Sequence, residues 1–449
     1  MEIEKLKIKQ YLNIHLVKNK KFKLKTEYIY QIKEIGNVLG LNDTWSDECI
    51  KLFIIKFFEN EIKEKKISLN KQFINSIYKK YSERRVINHL IKLKYLIKRD
   101  ELYNLFLDCL FIYAFNDKKI GKEILYYFQS KFKIYKRKFD EIFEIFYAEK
   151  NLKKMKYSLK IKKICGSILK NREFINEKEK RILICANMSA GKSTLLNALC
   201  GKKINKTQND ACTAKAHYIL NKSGEDGYTY ELDNDLCLNA TKKILMEDNE
   251  LNSENKIYVS TRFRSLYKIK KSICFIDTPG VNSSLNEEHK KITEKIISDE
   301  KFDLLIYIFN GENIGTNDDI KYLKYLYENV KTDIIFLVNK LDKFKTNVDS
   351  VKETINKAKK DLEKIGYKKI KIYPISAYAA YLAKMKLFNE QLNIDEDDEF
   401  YFFSKKLNRE GFRYDKYYKN KISVKDENKD YEILLRNSGV LNLESILYR

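Results

Sequence analysis

The sequence predicts an all-α segment followed by an α/β domain, a mostly parallel sheet with helices on both faces. Three observations carry that prediction. Up to about residue 180 there is no Pro and little Gly, and apolar residues recur at helical spacing. Beyond that point short, fully apolar runs alternate with helical stretches, the pattern of buried parallel strands joined by crossover helices. The charge divides at the same place: residues 1–180 carry a net +19 and residues 181–449 only +6, together the +25 of the chain.

In the first part, stripes such as Leu52, Ile55, Phe58 and Ile62, then Leu102, Leu105, Cys109 and Ile112, mark amphipathic helices. Breaks fall near Asn42–Ser46, Ser68–Asn70 and Asn116–Gly121. The richest apolar stretch, Leu105 to Phe115, is too short to span a membrane and contains Asp108. Lys136–Leu169 contains a strongly basic helix, KKMKYSLKIKKI, leading into the first strand and suited to a neck beside the second domain. The strands are expected at Ile182–Ala186, Ile273–Ile276, Leu304–Phe309, Ile334–Val338 and Ile370–Tyr373, with helices at Glu288–Asp299, Ile320–Asn329 and Val351–Ile365. The expected division is a basic helical domain over 1–170 and a second domain over 171–449.

Composition narrows the function. With 44% hydrophobic residues and 2 Pro in 449, the chain is neither disordered throughout nor Pro-rich or collagen-like. No secretory signal is visible at the N-terminus. Eight scattered Cys without a CxxC pair read as reduced core thiols of a cytoplasmic protein. Four dispersed His offer no metal-ligand spacing. The basic excess points to an anionic surface or nucleic acid, although a Lys-, Ile- and Asn-rich chain is also what AT-rich coding produces.

Four motifs follow one another at predicted strand ends, where an open α/β sheet binds its ligands. After the first strand comes Ala186, Asn187, Met188, Ser189, Ala190, Gly191, Lys192, Ser193 and Thr194, opening a helix. Backbone N–H groups at a helix N-terminus can cradle phosphates, Lys192 can reach the β- and γ-oxygens, and Ser193 can bind Mg2+. Ala186 stands where the usual pattern has its first Gly, so either the loop enters at negative φ or Ala186 is strained. Asp277-Thr-Pro-Gly280 supplies a carboxylate for water-mediated magnesium binding and a Gly N–H for the γ-phosphate. Asn339-Lys340-Leu-Asp342 places a carboxylate that can accept both guanine donors, N1–H and N2–H, and Ser376-Ala377 can offer a backbone N–H to O6. Four such motifs in this order predict a P-loop NTPase G domain that binds GTP.

In Ser189–Gly201, Asp277–Lys290, Asn339–Asp342 and Ile375–Lys384 the sequence resembles the dynamin family, specifically the bacterial dynamin-like proteins. Ser438–Leu447 looks like the last helix of that G domain. The resemblance implies that Thr213 is the magnesium-binding switch residue. Sixty-four residues separate Thr213 from Asp277, which suits the enlarged segment of dynamin-like G domains. It also implies a homodimer through the G domains, an anionic membrane surface as a site of action, and a partner dynamin-like protein completing what one chain lacks.

Catalysis is read from what is missing. Val281 follows the DxxG motif where Ras-like enzymes carry a water-orienting Gln, and Met188 stands where eukaryotic dynamins place theirs. Ser189, Lys192 and Thr213 are left as the candidate catalytic residues, with a slow basal rate. His289 reads as a solvated helix residue. Asp318 and Asp319 read as caps of the following helix, Asp395–Glu399 and the Tyr-rich 405–421 as a solvated loop or hairpin. A second function class stays open: a regulatory GTPase whose basic helical domain binds RNA, a ribosome or a protein partner.

Overall fold

The computed structural model describes residues 11–12, 14–65, 99–187, 189–204, 216–224, 228–232, 235–240, 256–267, 269, 271–279, 287–345, 350–420, 422–424, 426 and 429–448. The chain forms two compact units, Met1–Asn176 and Glu177–Arg449.

In the first unit the described helices are α1 (Phe22–Leu39), α2 (Thr44–Lys65), α3 (Arg99–Tyr113), α4 (Lys118–Lys131), α5 (Lys136–Phe146) and α6 (Leu159–Asn176). The α1–α2 break falls where Gly40 takes φ 66 and closes α1. α3 is buried on every side from Leu102 to Tyr113, the signature of a central helix. Asp108 therefore has no route to water. His15 Nε2 lies 2.5 Å from its Oδ2, and the Tyr28 hydroxyl donates to the same oxygen. Val17 N–H donates to His15 Nδ1 at 3.1 Å, which puts the ring proton on Nε2, facing Asp108. Burial pushes the Asp108 carboxyl well up and the His15 imidazole down to about 3. Gly121 lies inside α4 rather than in the break, and its missing Cβ leaves room for the Tyr147 hydroxyl.

The basic helix expected within Lys136–Leu169 is helical only in its second half, where α6 begins and runs to Asn176, ahead of β1. α5 ends at Phe146, Asn151 caps a short 3-10 turn at Leu152–Lys154, and α6 starts at Leu159. The Lys-rich stretch between is held extended by specific contacts. Met155 is buried, the Tyr157 hydroxyl donates to Lys138 O at 2.8 Å, and Ser158 donates to Asp100 at 2.7 Å.

The second unit is built on a nine-stranded sheet, counted among the described residues, in the order β4-β3-β5-β2-β6-β1-β7-β8-β9. The strands are β1 (Lys180–Ala186), β2 (His217–Asn221), β3 (Tyr228–Leu232), β4 (Asp235–Ala240), β5 (Ile257–Thr261), β6 (Ile273–Asp277), β7 (Leu304–Asn310), β8 (Ile334–Asn339) and β9 (Lys371–Pro374). β6, β1, β7, β8 and β9 run parallel, each registered on its neighbour. Consecutive residues of a strand face opposite sides, so the unbroken burial of β6 and most of β1, β7 and β8 means that both faces are covered. The long segment between the first two motifs contributes β2–β5, with β2 antiparallel to β6. The helices are α7 (Lys192–Cys200), α8 (Glu287–Asp299), α9 (Asn317–Asn329), α10 (Val351–Ile365), α11 (Ala377–Leu387), α12 (Ile394–Lys406), α13 (Asp430–Asn437) and α14 (Val440–Leu447).

Two expectations change here. Asp395–Glu399 is not a solvated loop but the acidic first half of α12, started by an Asn393–Glu396 capping box. The Tyr-rich stretch after it is no hairpin: Tyr414 and Tyr418 are buried, and the Tyr418 ring stacks on Tyr373 of β9 at 4.5 Å. Among the described residues, no helix is long and apolar enough to cross a membrane. Cys49, Cys109, Cys165, Cys185, Cys200 and Cys274 are free, buried thiols. Burial pushes Cys185 up to about 11, which keeps it a protonated core residue at neutral pH.

Candidate nucleotide-binding site

The phosphate loop leaves β1 at Ala186, a buried strand residue paired with Ile308 of β7. Ala186 is not among the residues with positive φ, so its Cβ costs nothing there. The strained turn comes later. Ser189, which is exposed, takes φ 58, and Gly191 takes φ 90 as the N-cap of α7. A non-Gly residue in the left-handed region is held there by its surroundings.

Two clamps hold this loop. On one side Asn187 Nδ2 donates to Asp319 Oδ1, which also accepts from the Tyr307 hydroxyl at 2.8 Å. On the other, Asn339 Nδ2 donates to Ala190 O at 2.9 Å, while Asn339 Oδ1 accepts the Ala377 N–H at 3.0 Å. One buried amide thus joins the phosphate loop, the end of β8 and the start of α11. Gly191 permits this approach, since a Cβ there would stand 2.3 Å from Asn339 Nδ2. Gly311 lies beneath it, where a Cβ would come within 2.7 Å of Asn339 O.

Lys192 is buried in the first turn of α7, and its ammonium is ion-paired with Asp277 at the end of β6. Thr278 Oγ1 donates to Ile184 O at 3.0 Å, tying the same strand end back to β1. Ser193 and Thr194 occupy the first turn of α7 and are half-buried. Lys340 sits at φ 64, turning the chain into the 3-10 turn Leu341–Lys343. Burial draws the Lys340 ammonium below its usual range, with Lys343 beside it adding to the effect. Asp342 is buried in that turn. Desolvation pushes its carboxyl up, while a hydrogen bond with Ser376 pulls it down. Ser376 caps α11 by accepting the Ala379 N–H, and its own N–H donates to Ser438 O at 2.9 Å.

The structure therefore brings together Asn187, Ser189, Ala190, Gly191, Lys192, Ser193, Thr194, Asp277, Asn339, Lys340, Asp342, Ser376 and Ala377 around one edge of the sheet. Met188, Thr213, Gly280 and Val281 lie outside the described residues, as does the side chain of His289. The Ala377 N–H, expected to serve guanine O6, is donated to Asn339, so it reaches a base only as a shared donor.

Sequence reasoning missed three groups. Asp319 is not the helix cap: Thr316 caps α9, accepting the Asp319 N–H at 3.2 Å, and the Asp319 carboxylate turns inward to Asn187. Burial raises its pKa. A Tyr in the apolar run of β7 was the available signal, because a buried hydroxyl calls for a partner. Lys384 and Glu444 are both fully buried and ion-paired. Lys384 also donates to Leu199 O and Arg264 O, at 3.1 and 2.8 Å, at the C-terminal end of α7. Nothing in the local sequence separates that lysine from a solvated one.

Solved structures similar to this chain include a probable GTP-binding protein EngB, at 19% identity and a TM-score of 0.27, covering 46% of this chain and 95% of that one. The G domain of the T. maritima FeoB iron transporter is similar at 15% identity and a TM-score of 0.25, covering 44% and 89%. The chloroplast translocon components atToc33 and psToc159 are similar at 13% identity and a TM-score of 0.31, covering 46% and 73%. No curated protein matches the chain. The model of the dynamin family matches residues 182–341, from the first strand to the start of the turn that follows Asn339. Phosphate loop, buried Lys192–Asp277 pair and base-side loop lie within or beside that span, and the match is consistent with a dynamin-family G domain in the second unit.

Proposed function

We propose that this chain binds GTP with magnesium and hydrolyses it to GDP and phosphate at a slow basal rate. Pairing of two G domains raises the rate, and the protein works from the cytoplasm at or near an anionic membrane. The observation that carries the reading is Asn339, which ties the phosphate loop to the loop holding Asp342. A site built to bind phosphate and guanine together needs that link.

In this reading the loop from Asn187 to Lys192 presents its N–H groups to the phosphates, and Lys192 turns from Asp277 to the β- and γ-oxygens. Asp342 accepts the N1–H and N2–H of guanine, a donor pair that adenine lacks. Ser193, Asp277 and the expected Thr213 are oxygen donors only, the chemistry that magnesium takes. Asp277 is moreover a buried carboxylate already facing a cation. When bound, the ion neutralises charge on the β- and γ-oxygens. With Val281 and Met188 in place of a water-orienting Gln, positioning and electrostatics carry the chemistry, with exposed Ser189 nearest the reacting end.

The test is GTP turnover at rising protein concentration, with and without anionic liposomes, and with RNA. Specific activity should climb with concentration and with liposomes. A value independent of both removes pairing and membrane action; stimulation by RNA alone replaces them with an RNA-dependent regulator.

A further inference from the structure

Helix α12 has a fixed inner face and an exposed outer one, on which the Lys386 and Lys406 ammoniums lie 5.1 and 5.5 Å from the Tyr401 and Phe402 rings. Phe400 and Phe403 are buried, which sets its rotation. Ile394, Tyr401 and Phe402 are exposed at 82%, 51% and 57%. Positions i, i+4, i+7, i+8 and i+11 share one face of a helix, so Ile394, Asp398, Tyr401, Phe402 and Lys405 form a single outer stripe. Exposed aromatics grouped in this way mark a contact surface rather than scattered apolar residues.

The charge along the stripe identifies the occupant. The first half of α12 holds Asp395, Glu396, Asp397, Asp398 and Glu399, and the second ends in Lys405 and Lys406. Asp398 lies three residues before Tyr401, and Lys405 three residues after Phe402. A two-fold axis between Tyr401 and Phe402 therefore sets Asp398 of one copy against Lys405 of the other, twice, with the four rings between them. Isologous contacts have this self-complementarity. Among the described residues Asp398 and Lys405 have no ionic partner, whereas neighbouring Asp397 is paired with Lys386. Five acidic residues in the first half disfavour an anionic lipid surface at the same face.

We infer that the outer face of α12 is an interface between two copies of this chain, paired antiparallel about Tyr401 and Phe402. It names a surface for the pairing in the proposed function and rests on that reading only for its effect on turnover. One helix against its twin falls short of the ~1,600 Å² of a standard interface, so the association is weak and concentration-dependent. It requires no nucleotide, because no element of the phosphate loop takes part.

Sedimentation of the full chain, with and without nucleotide, tests it together with four variants. Phe402→Asp abolishes the dimer. Asp398→Lys and Lys405→Asp each turn two attractions into repulsions and weaken it by roughly tenfold or more. An equimolar mixture of these two single variants regains a heterodimer, since each new charge then faces its opposite, and the double swap in one chain regains the homodimer. Local misfolding has no means of producing that rescue. A dimer indifferent to all four variants overturns this inference and leaves the proposed function intact. A normal α12-dependent dimer with concentration-independent turnover overturns the link to catalysis instead. Loss of binding to phosphatidylglycerol vesicles by Phe402→Asp, with no dimer in the wild type, reassigns the face to lipid and refutes the pairing.

Discussion

Replacing Gly191 by Ala tests whether the phosphate loop is held as the structure has it. The residue sits at φ 90, and its missing Cβ would lie 2.3 Å from Asn339 Nδ2. Holding Ala in the left-handed region costs about 1–2 kcal/mol. Relieving the overlap displaces Asn339 from both Ala190 O and the Ala377 N–H, two buried hydrogen bonds at about 1 kcal/mol each. The total is about 3–4 kcal/mol, and it divides between two measurable quantities. If the loop keeps its shape, the G domain loses stability; if it relaxes, nucleotide must restore the shape and affinity falls. Denaturant unfolding and titration with a fluorescent GTP analogue, summed, should show the full loss. Borne by binding alone, it is roughly a 150- to 900-fold rise in Kd. Ala186→Gly is the control: Ala186 lies in β1 without positive φ, so a glycine there should not tighten binding. A summed loss below about 1 kcal/mol for Gly191→Ala would refute the clamp.

Lys192→Ala should abolish GTP binding and also destabilise the G domain, because the Asp277 carboxylate loses its ammonium partner; adding Asp277→Asn should recover the stability but not the binding, as read by thermal unfolding and titration. Asp342→Asn removes an acceptor of two guanine donors and should lower the preference for GTP over ATP at least tenfold in competition, at ~1.5–3 kcal/mol per charged hydrogen bond. Asp319→Ala should weaken nucleotide binding with little change in base preference, whereas Asp319→Asn, which keeps an acceptor for Asn187, should restore most of it. In the helical unit burial holds a proton on the Asp108 carboxyl beside a neutral His15, a proton that the unfolded chain, with His15 at 6.5, has lost above that pH. Stability should therefore fall by up to ~1.4 kcal/mol per pH unit above that point. Asp108→Asn leaves neutral His15 alone, moving the loss below pH 6.5 and toward about 3; Trp45, the only Trp of the chain and on α2, reports both by fluorescence in denaturant.

The parallel strands were legible because burial on both faces leaves unbroken apolar runs. Four motifs then fell at strand ends, a coincidence in order that chance does not supply. The remainder was hidden for identifiable reasons. β2–β5 carry no unbroken run marking them as central, so the sheet's far half was invisible. Asp319 and Lys384 look like any acidic N-terminal or basic C-terminal helix residue, and only the fold turns their charges inward. The acidic run of α12 read as solvent-loving, yet Asn393 and Glu396 form a helix-starting box, and Phe400 and Phe403, about one and two turns beyond Glu396, give the helix one buried face. In the helical unit, periodicity gave helices but not the break at Asn151, which depends on Tyr157 and Ser158 finding partners on Lys138 and Asp100.

The departure at Ala186 moves the question of strain to where it has a use. A glycine at the start of the loop is unnecessary, since the chain is still strand there, while the left-handed turns fall at Ser189 and Gly191, beside the phosphates to be bound. Such turns persist only when held from outside, and two polar side chains from other elements hold them: Asp319 through Asn187, and Asn339 through Ala190. Asn339 belongs equally to the base-side loop, through the Ala377 N–H. In the proposed site, phosphate affinity and base recognition are consequently coupled through Asn339. On the proposed reading, a change in the loop assigned to guanine alters the shape of the loop assigned to phosphate, and the energy of a correct base helps to keep the strained loop in its binding form.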